Sequence, residues 1–268
     1  MKNKANNILK HLLDDGFDFD KTIKEVDELR LAYCQQNDVD NANTAWAVKT
    51  IVGIHRDYRK VFSLLQSKQY YDAWCLLERI EIDLSFLMRN CPGTKSAVEY
   101  VEVMVRRLQS LFPYRIFIST VMVITERTCN ICGKKRSLRS HCGHFAGHVY
   151  SGELCCDVVQ KCELHGADLV ANPEHKYAVV FPSDETGKKD NYDYQLLDYL
   201  MSVWKGPYNP WHYITIYTHK KPCEFPKLTD VSFCPCGSGK LYEECCKNDP
   251  KGVKHIIYEF RPGLNPSL

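Results

Sequence analysis

The sequence predicts an α+β protein: an all-helical N-terminal bundle, then a mostly β region and a small C-terminal knuckle, the last two built around clustered cysteines. Apolar residues recur at helical spacing up to about residue 112, and residues typical of strands take over after Pro113. Three of the 14 cysteines, Cys34, Cys75 and Cys91, lie in the helical part, and the other eleven fall between residues 129 and 246. We therefore expect three domains, at residues 1–112, 113–228 and 229–268.

Composition places the chain among ordinary folded proteins, with 44% apolar and 25% charged residues. A net charge of +2 gives no global argument for nucleic acid or membrane, so only local patches count. No apolar run approaches the roughly 20 residues that span a bilayer, and we expect no membrane partner. The first residues, MKNKANNILKHLLDD, turn acidic before an apolar signal core develops, which predicts a cytoplasmic protein. Thiols stay reduced there, so clustered cysteines indicate metal ligands.

The N-terminal part contains five amphipathic segments joined by short connections, which predicts an antiparallel helical bundle. The aromatic and aliphatic stripes of these segments are interpreted as core, and their charges as solvated faces. No catalytic constellation is found among them. The predicted helices cover residues 3–14, 20–36, 41–65, 70–88 and 95–111.

The periodicity changes after Pro113, where residues 114–124 are rich in β-branched and aromatic residues and predict one or two strands leading to Cys129. Further on, short strands are expected to turn at His165-Gly166 and at Asn172-Pro173. A helix is predicted at residues 192–204, and strands at 211–217 and 255–260.

The central cluster, residues 129–156, offers more candidate ligands than one zinc ion can use. Cys129 and Cys132 form a CxxC pair, which presents two sulfurs from one tight turn. Cys142, His144 and Cys155 follow at distances that a compact zinc module can close. Zinc takes four tetrahedral ligands, and the preferred set is Cys129, Cys132, His144 and Cys155, with Cys142 as the first substitute. Three further candidates remain open: His141, His148 and Cys156.

The same stretch carries a second pattern, in which the CxxC is followed by C-x-H and then by G-x-x-Y-x-G-E-x-C. The matching residues are Cys142, His144, Gly147, Tyr150, Gly152, Glu153 and Cys155. This arrangement resembles one found in uncharacterised bacterial proteins, and the resemblance brings no activity with it. It implies that the tyrosine and the glycines shape a defined turn.

A basic run separates the two halves of the central cluster. Lys134, Lys135, Arg136 and Arg139 place four cations in six residues. They could contact the phosphates of a nucleic acid. The alternative is a solvated loop whose positive charge offsets the negative charge of the zinc thiolates.

The C-terminal run CPCGSGKLYEECC has the spacing C-x-C, eight residues, C-C. Its cysteines are Cys234, Cys236, Cys245 and Cys246. The run resembles the SEC-C motif, the small zinc module at the C-terminus of the SecA preprotein-translocase ATPase that is attached to many other bacterial proteins. The match extends to Gly237, Ser238, Gly239, Lys240 and Tyr242. It does not extend to the ATPase, because the chain has no phosphate-binding GxxxxGK[ST] loop.

Four cysteines fill every position of a tetrahedral zinc ion, so this second site is predicted to be structural rather than catalytic. Together with the central cluster it predicts two Zn²⁺ ions per chain. In SecA the module contacts the chaperone SecB or the ribosome, and the resemblance therefore implies docking of a protein partner.

Two classes of function are consistent with these features. The preferred one is a non-enzymatic adaptor with two structural zinc ions that docks a protein, with nucleic acid as a second possible partner. The alternative is a metal-dependent nuclease with a variant His-Asn-His-like central domain, in which His144 or His148 acts as general base. Its second metal site would draw on Asp157, His165, Asp168 and Asn172, whose spacing matches no established motif. The HExxH and GxSxG motifs are absent.

Overall fold

The computed structural model describes residues 1–14, 16–137, 139–181, 190–225, 228–238 and 240–263. Helices occupy the N-terminal part, strands follow, and a cysteine cluster lies near the C-terminus. This order confirms the predicted α+β class. The chain forms two compact units, Met1–Leu197 and Asp198–Leu268.

Five α-helices open the first unit, and α3 is the longest of them. They are α1 (Lys2–His11), α2 (Phe19–Gln35), α3 (Val39–Gln66), α4 (Tyr70–Asn90) and α5 (Lys95–Leu111). Two helices begin at aspartate caps: Asp18 accepts a hydrogen bond from the Lys21 amide, and Asp38 accepts one from the Asn41 amide. Such caps satisfy amide groups that have no partner within the helix.

The core of the helical part forms around α3, which packs against the other four helices. Its apolar stripe is almost completely buried, as the 3.6-residue period predicts. The buried side chains of this stripe include Val48, Ile51, Val52, Ile54, Tyr58, Val61 and Leu65. Trp74 of α4 extends the core, and its indole donates a hydrogen bond to the Lys176 carbonyl at 2.6 Å. Irregular chain far along the sequence is thereby held to the bundle.

A long antiparallel ribbon follows the helices. It pairs β1 (Phe117–Cys129) with β5 (Asp157–Val170), and the short β2 (Lys135–Arg136) adds to the other edge of β1. The turn predicted at His165-Gly166 is wrong, because β5 continues through it. Val121 lies opposite Gly166 and Met122 opposite Leu164, so His165 is the extra residue of a β-bulge. The glycine thus marks a bulge rather than a chain reversal.

The segment that connects β1 to β5 contains a tight hairpin of two short strands, β3 (Val149–Tyr150) and β4 (Glu153–Leu154). The second unit is built on β6 (Trp211–Lys220) and β7 (Val253–Pro262), which pair antiparallel over all ten residues. Most of α6 (Gln195–Val203) belongs to this unit as well. Trp211 is buried there, with its ring 5.5 Å from that of Phe260.

Candidate metal centres

The central group gathers four of the predicted ligands. The ligand atoms of Cys129, Cys132, Cys142 and His144 all lie within 4.8 Å of one another. Cys129 is the last residue of β1, and Cys132 lies in the turn that leads to β2. The other two come from the loop between β2 and β3. The ribbon therefore ends at a group that could hold a metal ion.

The observed separations fit a tetrahedral ion such as zinc. Metal–sulfur bonds of about 2.3 Å set neighbouring sulfurs about 3.8 Å apart, and a nitrogen ligand lies slightly closer. The Cys129 sulfur is 3.7 Å from Nδ1 of His144. A soft thiolate set completed by one imidazole is chemically suited to such an ion.

Cys155, which the sequence favours over Cys142 as a metal ligand, lies outside the group of four. Its sulfur is buried and lies 3.9 Å from that of Cys129, but it is not a member of the mutually close group, in which Cys142 stands instead. The guanidinium of Arg136 donates a hydrogen bond to this sulfur at 3.1 Å. Cys155 therefore lies beside the group, and its sulfur accepts a hydrogen bond from the cationic side chain of Arg136. His141, His148 and Cys156, the other candidates, are also outside the group.

Arg136 belongs to the metal centre rather than to a solvated loop, since its side chain is only 10% exposed. It donates to the His144 carbonyl at 2.7 Å and forms an ion pair with Asp157. Burial lowers the pKa of Arg136, but hydrogen bonds to the sulfurs of Cys142 and Cys155 outweigh this effect and raise the pKa. This one residue of the basic run thus offsets thiolate charge.

The Cys129 thiol is already adapted to bind a cation. Burial raises its pKa, but hydrogen bonds from the backbone amides of Cys132 and Ile131 more than compensate and lower it to about 6. A thiol of this kind is largely a thiolate at neutral pH, which is the form that binds metals. The CxxC turn therefore supplies both ligands and the amides that stabilise the charge of Cys129.

Helices position the central centre through the β3–β4 hairpin. Ser151 and Gly152 both have positive φ, as the two-residue turn of a tight hairpin requires. The Gly152 amide donates to Oδ1 of Asn43 at 2.7 Å, and a Cβ on Gly152 would come within 2.8 Å of the Ala42 carbonyl oxygen. Only glycine allows this close approach to α3.

A second anchor comes from α4, where Asn90 makes two hydrogen bonds to the chain that follows the candidate ligands Cys142 and His144. Its side chain donates to the Gly147 carbonyl and accepts from the Val149 amide, both at 2.9 Å. Tyr150 holds the loop from the other side, because its hydroxyl accepts from the Phe145 amide at 2.9 Å. The anchoring role of Asn43 and Asn90 was missed from the sequence, since a polar residue on a helix carries no signal of its distant partner.

The C-terminal group contains all four predicted cysteines, Cys234, Cys236, Cys245 and Cys246, again with sulfurs within 4.8 Å of one another. The sulfur of Cys245 lies 3.5 Å from that of Cys236 and 3.8 Å from that of Cys246. These separations also fit a tetrahedral ion. A group of four thiolates leaves no coordination position for water or substrate.

Backbone hydrogen bonds form the knuckle around this group. The Cys234 amide donates to the Lys240 carbonyl at 2.8 Å, and the Gly237 amide donates to the Cys234 carbonyl at 3.1 Å. Gly237 has a φ of +76°, which favours glycine at this position. Gly239 of the motif lies outside the described residues. Tyr242 and Val253 are buried against Cys234, so this small module has its own core.

Two of the residues proposed for a second metal site of a nuclease, Asp157 and His165, are engaged elsewhere. Both carboxylate oxygens of Asp157 are occupied by arginines, Arg127 and Arg136. His165 pairs with Glu163 at 3.7 Å on the exposed ribbon. Within the described ranges, no third group of three or more His, Cys, Asp or Glu ligands is found. No observation therefore favours the nuclease alternative.

Comparison with protein-family models, curated proteins and solved structures gives no match for this chain. Across the described part of the chain, no helix combines the length and apolarity needed to cross a membrane. The two candidate metal centres are therefore the features from which a function must be argued.

Proposed function

We propose that this protein is a non-enzymatic cytoplasmic adaptor that holds two structural zinc ions and docks a protein partner through its C-terminal module. The observation that carries the proposal is the closed set of four cysteine sulfurs at Cys234, Cys236, Cys245 and Cys246. Thiolate ligands in tetrahedral arrangement favour zinc, and a site filled by cysteines stabilises structure without offering an open position for chemistry.

A docking role is supported by apolar residues beside this closed site. Val231 and Phe233 are 73% and 74% exposed, although they lie within three residues of the buried Cys234. Exposed aromatic side chains on a rigid module are typical of protein interfaces. The resemblance of residues 234–246 to the SEC-C motif supports the same role, since that module contacts proteins in SecA.

The metal part of the proposal is tested on the full chain by elemental mass spectrometry, which should find two zinc ions per chain. Cys234→Ala should lose one ion and the order of the C-terminal module, because metal binding and local folding share one free energy there. A chain carrying this substitution with both ions retained would refute the assignment. So would nucleic-acid cleavage on addition of Mg²⁺ or Mn²⁺, because the adaptor has no catalytic site.

The docking part is tested with a photocrosslinking amino acid placed at Phe233 of the full chain in cells. Adducts of defined mass should form there and disappear when Cys236→Ser breaks the module. The matched control is the same amino acid at Leu31, which is exposed on α2. Equal adducts at both positions, or adducts that survive Cys236→Ser, would exclude docking by the folded module.

A further inference from the structure

The strand end next to the central metal centre forms a basic cleft that the adaptor role does not use. The cleft has a volume of about 500 Å³ and lies between the end of β1 and the turn that follows β2. Three arginines and two hydroxyl residues line it, together with Ile124 and Glu126: Arg127, Arg136, Arg139, Thr125 and Ser137. Its size is that of an ordinary ligand site.

Irregular pairing of β1 creates this lining. The β1–β5 register shifts between Ile124 and Glu126 and again between Glu126 and Arg127. A regular strand would alternate these side chains between the two faces of the ribbon. The shifts instead allow consecutive residues of β1, from Ile124 to Arg127, to line one cleft.

Positive charge exceeds negative charge around the cleft. Glu126 is shared by Lys135 and Lys161, at 3.1 Å and 3.3 Å. Asp157 is likewise shared by two arginines, one of which is the mostly buried Arg136. Glu126 therefore balances one of its two lysines and leaves the other in excess, whereas at Asp157 the second cation, Arg136, offsets the thiolate charge of the central group.

Arg139 adds a further positive charge. It is exposed, and its amide donates to the Ser137 hydroxyl at 3.3 Å. Ser137 and Ser140 pair across this turn, which fixes the position from which the guanidinium extends.

We infer that this cleft binds the phosphates of a nucleic-acid strand. The exposed cations are spread along the strand end rather than focused on one point, so they fit successive phosphates better than one isolated anion. Arginine forks and hydroxyl groups are the usual donors to phosphate oxygens. The structure also changes the predicted contact set, because the mostly buried Arg136 is held by Asp157 and the central group. Arg127, from outside the basic run, also pairs with Asp157, but its side chain is 41% exposed and lies in the cleft.

The test is fluorescence anisotropy of the full chain with a labelled single-stranded oligonucleotide of about 12 nucleotides, which is within the site sizes of strand-binding proteins. Arg139→Gln should weaken binding roughly eightfold at about 50 mM salt and reduce the salt slope by about 0.7, the effect of one lost phosphate contact. The control, Arg106→Gln, removes another exposed arginine, which pairs with Glu102 on α5, and binding should be unchanged. Metal content and melting temperature of both variants are checked first.

Two competitors identify the ligand chemistry. Inorganic phosphate should compete only at far higher concentration than unlabelled oligonucleotide, because it engages one contact instead of several. Polyglutamate of matched charge should compete poorly, because carboxylates do not reproduce the phosphate contacts. Absence of binding at low salt, equal effects of the two substitutions, or equal competition by polyglutamate would each overturn the inference.

Discussion

Arg136 and Cys155 are joined by a guanidinium-to-sulfur hydrogen bond of 3.1 Å, directly beside the four gathered ligands of the central centre. The same guanidinium donates to the His144 carbonyl and is held by Asp157 of β5. This arrangement orients a ligand and offsets thiolate charge from outside the ligand set. Such outer contacts are a major determinant of metal affinity.

Replacing Arg136 should therefore weaken the central metal site without changing a ligand. Arg136→Gln is expected to lower its zinc affinity by about tenfold to hundredfold, the usual effect of losing an outer contact. Competition with a chromogenic chelator on the full chain measures this, and the C-terminal ion should be unaffected. Arg139→Gln is the matched control, because this exposed arginine donates to no ligand sulfur that the structure describes. Identical affinities for the two variants would contradict an outer-contact role for Arg136.

The ligand set itself can be decided with two serine substitutions. If the chain holds two zinc ions as proposed, Cys142→Ser should reduce them to about one per chain, whereas Cys155→Ser should retain both. Elemental mass spectrometry gives the counts, and Cys162→Ser, an exposed cysteine on β5, controls for the chemistry of the substitution. Loss of an ion from Cys155→Ser with retention in Cys142→Ser would favour the set preferred on sequence grounds.

These two cysteines also show where prediction from sequence stops. The CxxC spacing locates Cys129 and Cys132 because both sulfurs come from one local turn. Cys142 and Cys155 return from distant points, and the choice between them depends on how the hairpin packs on the helices. Local spacing does not encode that packing.

The C-terminal group was predictable in full because its four cysteines are confined to residues 234–246. Helix periodicity likewise predicted five helices, since an apolar stripe is a local feature of the sequence. The bulge at His165 was read as a turn because a glycine permits either structure. The long pairing of β1 with β5 decides between them, and it joins residues far apart in sequence, from Cys129 with Asp157 to Phe117 with Val170.

Gly152 should tolerate no side chain. Gly152→Ala is expected to destabilise the first unit by about 2 kcal/mol or more, because positive φ alone costs an L-residue roughly 1–2 kcal/mol. The added Cβ would also meet the Ala42 carbonyl oxygen at 2.8 Å. Urea unfolding followed by circular dichroism measures the change.

Two glycines provide graded controls for this substitution. Gly166 has neither a positive φ nor a neighbour within 4 Å of an added Cβ, so Gly166→Ala should change stability little. Gly133 has a φ of +69° but open space around it, so Gly133→Ala should show the cost of φ alone. If Gly152→Ala were no more destabilising than Gly133→Ala, close packing against α3 would not be the reason for glycine there.

His55 should make the stability of the bundle depend on pH. It is buried in α3, and burial lowers the pKa of its ring, although a hydrogen bond to the Ala97 carbonyl at 2.8 Å partly opposes this. The unfolded chain, with a pKa of about 6.5, then binds more protons than the folded one. The neutral His55 ring therefore contributes its full stability above about pH 6.5. This contribution to the free energy of unfolding is lost as the pH falls from there toward the pKa of the folded state. Because one proton is involved, the free energy of unfolding changes by less than about 1.4 kcal/mol per pH unit.

The measurement is urea unfolding of the full chain at several pH values between neutral and mildly acidic. His55→Gln removes the titrating ring, and its stability should fall less steeply over this range than that of the parent chain. His11→Gln is the matched control, because His11 is half exposed at the end of α1. Protons taken up by the metal ligands affect all three chains alike, so the difference between slopes isolates His55. Equal slopes for the parent and His55→Gln would show that burial does not disfavour protonation of this ring.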